Sequence, residues 1–305
     1  MKVSVIVSAY NAADILGTTL PPLLSQDYSS EKLQIIVVND ASTDGTAALL
    51  ASPKWMDRCE IIHHETNLGR CATRNSGLHA ATGDLVIFID CDIEVGNDFV
   101  SRHVERHSDP QVTGLLSNLQ PAISPLRQKY HRYLFHGRRG AKTVGGETPL
   151  PYRYFILTAT SIQRSALEET GEFKKELTGY GIDLHYAYRL WKNFPENLFY
   201  EPDIIVKQHK LKTFPLALSD FGNYGASNLP IILDEFPELG RNMGIDFVNG
   251  SNSLKRCAGA LLFNPLTRGV GRLLKALFPS PICNPFIRYL MVDAVVTGYR
   301  LTLKS

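Results

Sequence analysis

Leu85-Val86-Ile87-Phe88-Ile89-Asp90-Cys91-Asp92 is a run of five large apolar residues that stops on two acids one residue apart. It follows the turn-forming stretch Ala81-Thr82-Gly83-Asp84. A short, continuous apolar run between turn signals predicts a strand buried on both faces, as in a parallel sheet. In an extended chain residues i and i+2 point to the same side, so Asp90 and Asp92 converge while Cys91 points away. Two converging carboxylates repel unless a cation lies between them. Oxygen ligands suit a hard divalent ion, Mg or Mn.

The same pattern repeats on either side. Apolar runs predict strands over residues 3–8, 34–38 and 59–63. Between them the spacing predicts helices over 12–26, where Pro21 and Pro22 should kink or break the helix, then over 42–51 and 69–81. Strands alternating with helices make an α/β chain with a mainly parallel, Rossmann-like sheet flanked by helices. Ligands of such sheets gather at the strand ends. Residues 109–152 loosen into what reads as a variable loop or helix insertion. A strand over 154–162, a helix over 183–192 and two short strands over 198–206, broken at Pro202, follow. Beyond Phe214 the chain reads as helical.

Two further strand ends carry chemistry. Val38-Asn39-Asp40-Ala41-Ser42-Thr43-Asp44-Gly45-Thr46 reads as a turn and helix start, with Ser42 or Thr43 as N-cap. That reading leaves the Asp40 carboxylate free to accept an N–H from a base. Asn67-Leu68-Gly69-Arg70 opens a helix on which Arg70 and Arg74 lie one turn apart, a basic helix N-terminus suited to a diphosphate.

Bulk properties narrow the class. The chain has 305 residues, 44% hydrophobic and 20% charged, with a net charge of +2, so it is globular and has no nucleic-acid signature. Five cysteines without CxxC spacing point to a reducing compartment, with neither a disulfide framework nor a zinc site. The first residues read as a buried strand rather than a signal peptide, and no apolar run is long enough to span a bilayer.

The motifs, taken in order, resemble the family 2 glycosyltransferases: VSVIVSAYN at 3–11, VVNDASTDGT at 37–46, NLGRCATRNSGL at 67–78, ATGDLVIFIDCD at 81–92, then GEFKKELTGYG and IDLHYAYRLW up to 191. The resemblance implies the glycosyltransferase-A fold, with a catalytic domain over 1–215 and a C-terminal helical extension over 216–305. Within the catalytic domain, 1–108 would bind the nucleotide-sugar and 109–215 the acceptor. It implies that Asp40 binds the base, with Ala9, Tyr10 and Asn11 beside it. Asn67, Gly69, Arg70 and Arg74 would approach the nucleotide or diphosphate. Asp90 would face the ribose or sugar, with Cys91 counted among the nucleotide-sugar-binding residues, and Asp92, with Asp90, would hold a divalent cation, Mg or Mn. His209 lies where some relatives use a histidine on the metal. Asp183 would be the general base of an inverting transfer from a nucleotide-diphosphate-sugar, a UDP-sugar being favoured, to a glycan or lipid-linked acceptor of the bacterial cell envelope. Three departures from the family pattern are Ser8 for a proline, Ile182 for a glutamate, and His185 for a carboxylate two residues after the base. The last two motivate an alternative, a non-catalytic nucleotide-sugar-binding protein of the same fold. Asp183 can also be read as a helix N-cap. A nicotinamide dehydrogenase would need GxGxxG after the first strand, where Ser8-Ala9-Tyr10-Asn11 stands.

Residues 251–305 hold eight cations and one acid, Asp293, a net +7 that leaves −5 for the first 250. Leu266, Val270, Leu273, Leu274 and Leu277 follow helical spacing, and 286–303 reads as a second apolar helix. The tail is expected to pack on the domain, to rest on an anionic bilayer, or to do both, and the protein to be cytoplasmic or peripheral on the inner face of the plasma membrane.

Overall fold

The computed structural model describes residues 1–249 and 253–303, in which eight strands form one sheet. β1 (Val3–Ala9), β2 (Leu33–Asn39), β3 (Glu60–His63) and β4 (Leu85–Asp90) are the four strands that the apolar runs predict. They pair in parallel in the order β3-β2-β1-β4. The register sets Ala9 beside Asn39, Asn39 beside His63 and Ser8 beside Asp90, so four strands end along one edge. Their inward residues, among them Val5, Val7, Ile35, Val37, Ile87 and Ile89, are buried in one core. Each such side chain contributes about 1.5–3 kcal/mol by leaving water. That core holds the strand ends, and hence the loops after them, in fixed register.

The other half of the sheet is mixed. β5 (Ile93–Glu94), β6 (Gly114–Pro121), β7 (Ala159–Gln163) and β8 (Leu198–Gln208) complete the order β3-β2-β1-β4-β7-β6-β8-β5. β7 is antiparallel to β4 and β6, and β5 to β8, while β6 and β8 are parallel. Four of the seven pairings are therefore parallel.

Several sequence expectations need correction. The loose segment 109–152 contains β6, whose only consecutive apolar residues are Leu115-Leu116; its outer half is half-buried and sets Leu119 among Asn118 and Gln120, so no run marks it. Pro202 does not break β8. It falls where the β6–β8 pairing jumps from Ser117/Glu201 to Asn118/Ile205, at a bulge that needs no N–H from it. The prolines at 21 and 22 lie inside the Leu16–Leu24 helix. The carbonyls they leave without a donor belong to Gly17 and Thr18, which are exposed to water. Helix 42–51 shortens to Thr46–Leu50, and the strand predicted from 154 begins at Ala159.

Two compact units are distinguishable. The first comprises Met1–Ser124, Gly137–Lys175 and Ile182–Lys210, with the whole sheet and its flanking helices. The second comprises Pro125–His136, Glu176–Gly181 and the chain from Leu211 onward. In the second unit the helices Phe214–Ala226 and Asn284–Thr302 cross at Gly222, Gly225 and Gly298, where a methyl group on Gly298 would run into the Gly222 carbonyl. Tyr130, Phe214, Ile287 and Leu290 share its core. Lys304 of the basic tail lies outside the described residues. No helix among the described residues is long and apolar enough to cross a membrane.

Candidate active site

The turns after β1 and β2 are tied together by side chains. Asn11 takes a left-handed conformation (φ 47°). Its Oδ1 accepts from the Thr43 N–H at 2.8 Å, and its own N–H donates to Ser42 Oγ at 2.9 Å. The Ala12 N–H donates to Thr46 Oγ1 at 2.8 Å and the Ala13 N–H to Asp44 at 3.1 Å. These bonds explain why the helix starts late: Ser42, Thr43 and Asp44 serve the turn, and neither Ser42 nor Thr43 caps the helix. Asp44 accepts from Thr46 Oγ1 and N–H, the largest reason its carboxyl lies below the ordinary range. Tyr10, beside Ala9 and Asn11, is half exposed at the edge of this turn.

Asp40 is engaged, contrary to the expectation that its carboxylate is left free. It is 4% exposed. One carboxylate oxygen accepts from His64 Nδ1 at 2.7 Å and the Leu68 N–H at 2.8 Å; the other accepts from the Gly69 N–H at 2.8 Å. His64 Nε2 lies 2.9 Å from Ser76 Oγ. Asp40 thus anchors the start of the Gly69–Ala80 helix, meeting N–H groups that have no intrahelical partner. Asn67 Nδ2 donates to the Asp40 carbonyl at 3.4 Å. Gly69 has φ +85°, which a residue with a side chain rarely adopts. The oxygen bonded only by Gly69 keeps one lone pair available.

Asp90 closes β4, and the chain turns at Cys91 and Asp92 before β5. The Cys91 side chain packs against the core. Burial, then Asp92 and Asp90, push its thiol up to about 12. Burial first and the Asp90 charge second also raise the Asp92 carboxyl above its ordinary value, with a Gln208 hydrogen bond at 3.4 Å offsetting part of this. A desolvated carboxylate set against a second acid is an oxygen pair that could take up a hard divalent cation. No group of three His, Cys, Asp or Glu able to hold a metal gathers among the described residues. His209 lies beside the pair, its N–H donating to the Asp92 carbonyl at 3.0 Å. Its Nε2, however, sits 2.7 Å from Glu94.

Arg74 occupies the centre of the site and is 2% exposed. It donates to Asp183 Oδ1 at 2.9 Å and to the Leu157 carbonyl at 3.0 Å, and lies 3.8 Å from Asp90 Oδ1. Its guanidinium also covers the Phe173 ring, 5.5 Å from the centroid, and Phe173 stacks on Tyr186. Arg70, one turn earlier, is exposed. The sequence pairs the two arginines on one basic face; the fold buries one and leaves the other at the surface. Asp183 lies inside the first turn of the Ile182–Asn193 helix rather than before it, with its carboxylate partly open to water. Ile182 and His185, the departures flanking it, are both buried.

Sequence reasoning missed three contributors. Thr158 Oγ1 donates to Asp90 Oδ2 at 3.4 Å, and Leu157 supplies its carbonyl; no motif marks either. Glu94 carried a signal, being the third acid in the alternation Asp90, Asp92, Glu94. Burial pushes its carboxyl up, but Lys207 at 3.0 Å and His209 outweigh that and leave it below the ordinary range.

The Glycosyl transferase family 2 model matches residues 4–171, more than half the chain. The chain belongs to this family. Among its relatives, the uncharacterized glycosyltransferase YfnE of Bacillus subtilis is 28% identical over 206 residues, 65% of this chain and 52% of YfnE. The amylovoran biosynthesis glycosyltransferase AmsB of Erwinia amylovora is 34% identical over 104 residues, 33% of this chain and 34% of AmsB. The matches thus span about half or less of these relatives. Among solved structures, the mannosyltransferase PcManGT of Pyrobaculum calidifontis, in complex with GDP-Man and Mn2+, matches 98% of this chain and 87% of its own with a TM-score of 0.63 at 22% identity. S. aureus TarS 1-349 in complex with UDP-GlcNAc matches 100% and 91% with a TM-score of 0.58 at 19% identity. At such identities the likeness establishes the fold, glycosyltransferase-A.

Proposed function

We propose that the chain transfers a sugar from a nucleotide-diphosphate-sugar to an acceptor hydroxyl with inversion at the anomeric carbon. The observation that carries this reading is buried Arg74, held between Asp90 at the end of β4 and Asp183 on the Ile182–Asn193 helix. It fixes a strand-end carboxylate suited to the donor and a water-accessible carboxylate suited to a base around one cation. Asp183 takes the proton from the acceptor hydroxyl as that oxygen bonds to the anomeric carbon; the bond from that carbon to the diphosphate breaks and the nucleoside diphosphate leaves with the electron pair. Asp90 and Asp92 would hold a divalent cation, Mg or Mn, which would supply positive charge to the leaving diphosphate. His209 would join them only by releasing Glu94.

In this reading the remaining acceptor position of Asp40 meets the base, with Ala9, Tyr10 and Asn11 alongside and Asn67, Gly69 and exposed Arg70 toward the nucleotide. Cys91 contributes its backbone beside the sugar. The donor part is 1–108, the acceptor part 109–215 and the extension 216–305. One relative and one structural neighbour support the chemistry by what they are called: an amylovoran biosynthesis glycosyltransferase and a protein in complex with UDP-GlcNAc. We take the donor to be a UDP-sugar and the acceptor a glycan or lipid-linked precursor of the bacterial envelope. Release of nucleoside diphosphate from a panel of UDP- and GDP-sugars, with Mg or Mn, tests the reading. Consumption of one donor supports it. Binding without consumption of any donor, across glycan and lipid-linked acceptors, would leave only the nucleotide-sugar-binding alternative.

A further inference from the structure

The Pro265–Leu277 helix carries its apolar face outward. Leu266, Val270, Leu273 and Leu277 recur at i, i+4, i+7 and i+11, one stripe of a helix, and each is more than half exposed, Leu266 at 83%. The opposite face does the packing: Gly271 is buried against Tyr289, and Arg268 pairs with Asp293. Leu254 and Leu261 on the Ser253–Leu262 helix are exposed in the same way. By contrast, the Asn284–Thr302 helix buries Ile287, Leu290 and Val296. Of the two apolar helices read in the tail, one therefore buries its apolar side chains and the other packs by its opposite face and leaves its apolar stripe open.

The open stripe is not the result of a poorly formed helix. Asn264 caps its start, accepting from the Leu266 and Thr267 N–H groups at 2.9 and 3.1 Å in a capping box. At its end Lys129 Nζ donates to the carbonyls of Lys275, Ala276 and Phe278. The setting is cationic: from Ser253 to Val292 the sequence holds Lys255, Arg256, Arg268, Arg272, Lys275 and Arg288 and no acid. A second copy of this face would set like charge against like charge. Anionic headgroups match the charge and acyl chains match the stripe.

We propose that residues 253–282 dock on an anionic lipid bilayer, inserting Leu266, Val270, Leu273 and Leu277 while Lys255, Arg256 and Arg272 meet the headgroups. This goes beyond sugar transfer and stands without it. The test floats the full chain with vesicles of phosphatidylcholine alone or of phosphatidylcholine with phosphatidylglycerol, beside size-exclusion chromatography without lipid. Wild type should float with the anionic vesicles and much less with the neutral ones. Combined L266S and L273S, and separately K255Q with R272Q, should each weaken binding about tenfold or more, with unfolding midpoints unchanged. The proposal is overturned if wild type stays in the soluble fraction, or if L266S with L273S floats as well as wild type. It is equally overturned if the serine variant converts a lipid-free dimer to a monomer, which would assign the stripe to a second copy of the chain.

Discussion

Replacing Arg74 with alanine removes three polar interactions at once, beside its contact with the Phe173 ring: the hydrogen bond to Asp183 at 2.9 Å, the bond to the Leu157 carbonyl at 3.0 Å and the charge 3.8 Å from Asp90. Breaking a fully buried ion pair costs about 3–5 kcal/mol. Here the arginine is buried but the Asp90 and Asp183 side chains keep 20% and 29% of their exposure, so water takes over part of their solvation. The loss should therefore sit at the low end, about 3 kcal/mol, once the lost Phe173 contact is included. For a domain of this size that lowers the unfolding midpoint by roughly 6–10 °C. Turnover should fall further than stability accounts for, by about a hundredfold at temperatures where the variant is folded, because Asp183 loses the bond that orients it. Lysine in place of Arg74 keeps the charge but not the planar fork, and should fall between. Thermal unfolding by circular dichroism, run beside donor turnover, checks both. An alanine variant with an unchanged midpoint would refute the burial argument, and one that is destabilised but turns over normally would refute the coupling to Asp183.

Other parts of the fold make separate predictions. His107 Nδ1 faces the Val112 carbonyl, an acceptor only, so it carries the proton; Ser161 Oγ then donates to His107 Nε2 and accepts from His103 Nδ1, and Ser117 donates to His103 Nε2. Burial lowers both histidines, His107 to about 4. The unfolded chain therefore binds protons first, and the stability from this chain of bonds, complete above about pH 6.5, declines as pH falls toward 4. Urea midpoints should drop between pH 7 and pH 5, and Ser161→Ala should cost about 1–3 kcal/mol at pH 7. Gly298→Ala should destabilise the second unit by about 2 kcal/mol or more, read from the same urea titration, because the methyl group meets backbone rather than a flexible side chain.

These tests bear on residues that the sequence treats unequally. β1, β2 and β4 are visible because continuous apolar runs have few other uses, and their ends name Asn11, Asp40 and Asp90 directly. β6 is hidden because a strand half on the core and half at the rim alternates too weakly to register. The helix after β2 is overextended because Ser42, Thr43 and Asp44 read as capping residues, whereas they bond across to the Asn11 turn, more than thirty positions away. Arg74 shows the same limit. Its local spacing pairs it with Arg70, but its partner Asp183 is 109 positions along the chain, and only the packing of the two helices in the fold turns a basic face into a buried clamp. The sequence points Asp40 at a ligand, whereas the fold gives it a structural post, because a carboxylate at a strand end is the nearest partner for the next helix's N–H groups.

The central claim is that Asp183 is the base of a sugar transfer whose donor is held elsewhere in the site. Asp183→Asn keeps the shape and removes the basicity. Nucleotide affinity by calorimetry and transfer rate, measured on the same preparation with Mn, should then separate: unchanged binding, with transfer reduced by about a hundred- to ten-thousandfold. Transfer that survives the substitution within a few-fold would contradict the assignment of Asp183 and the mechanism built on it.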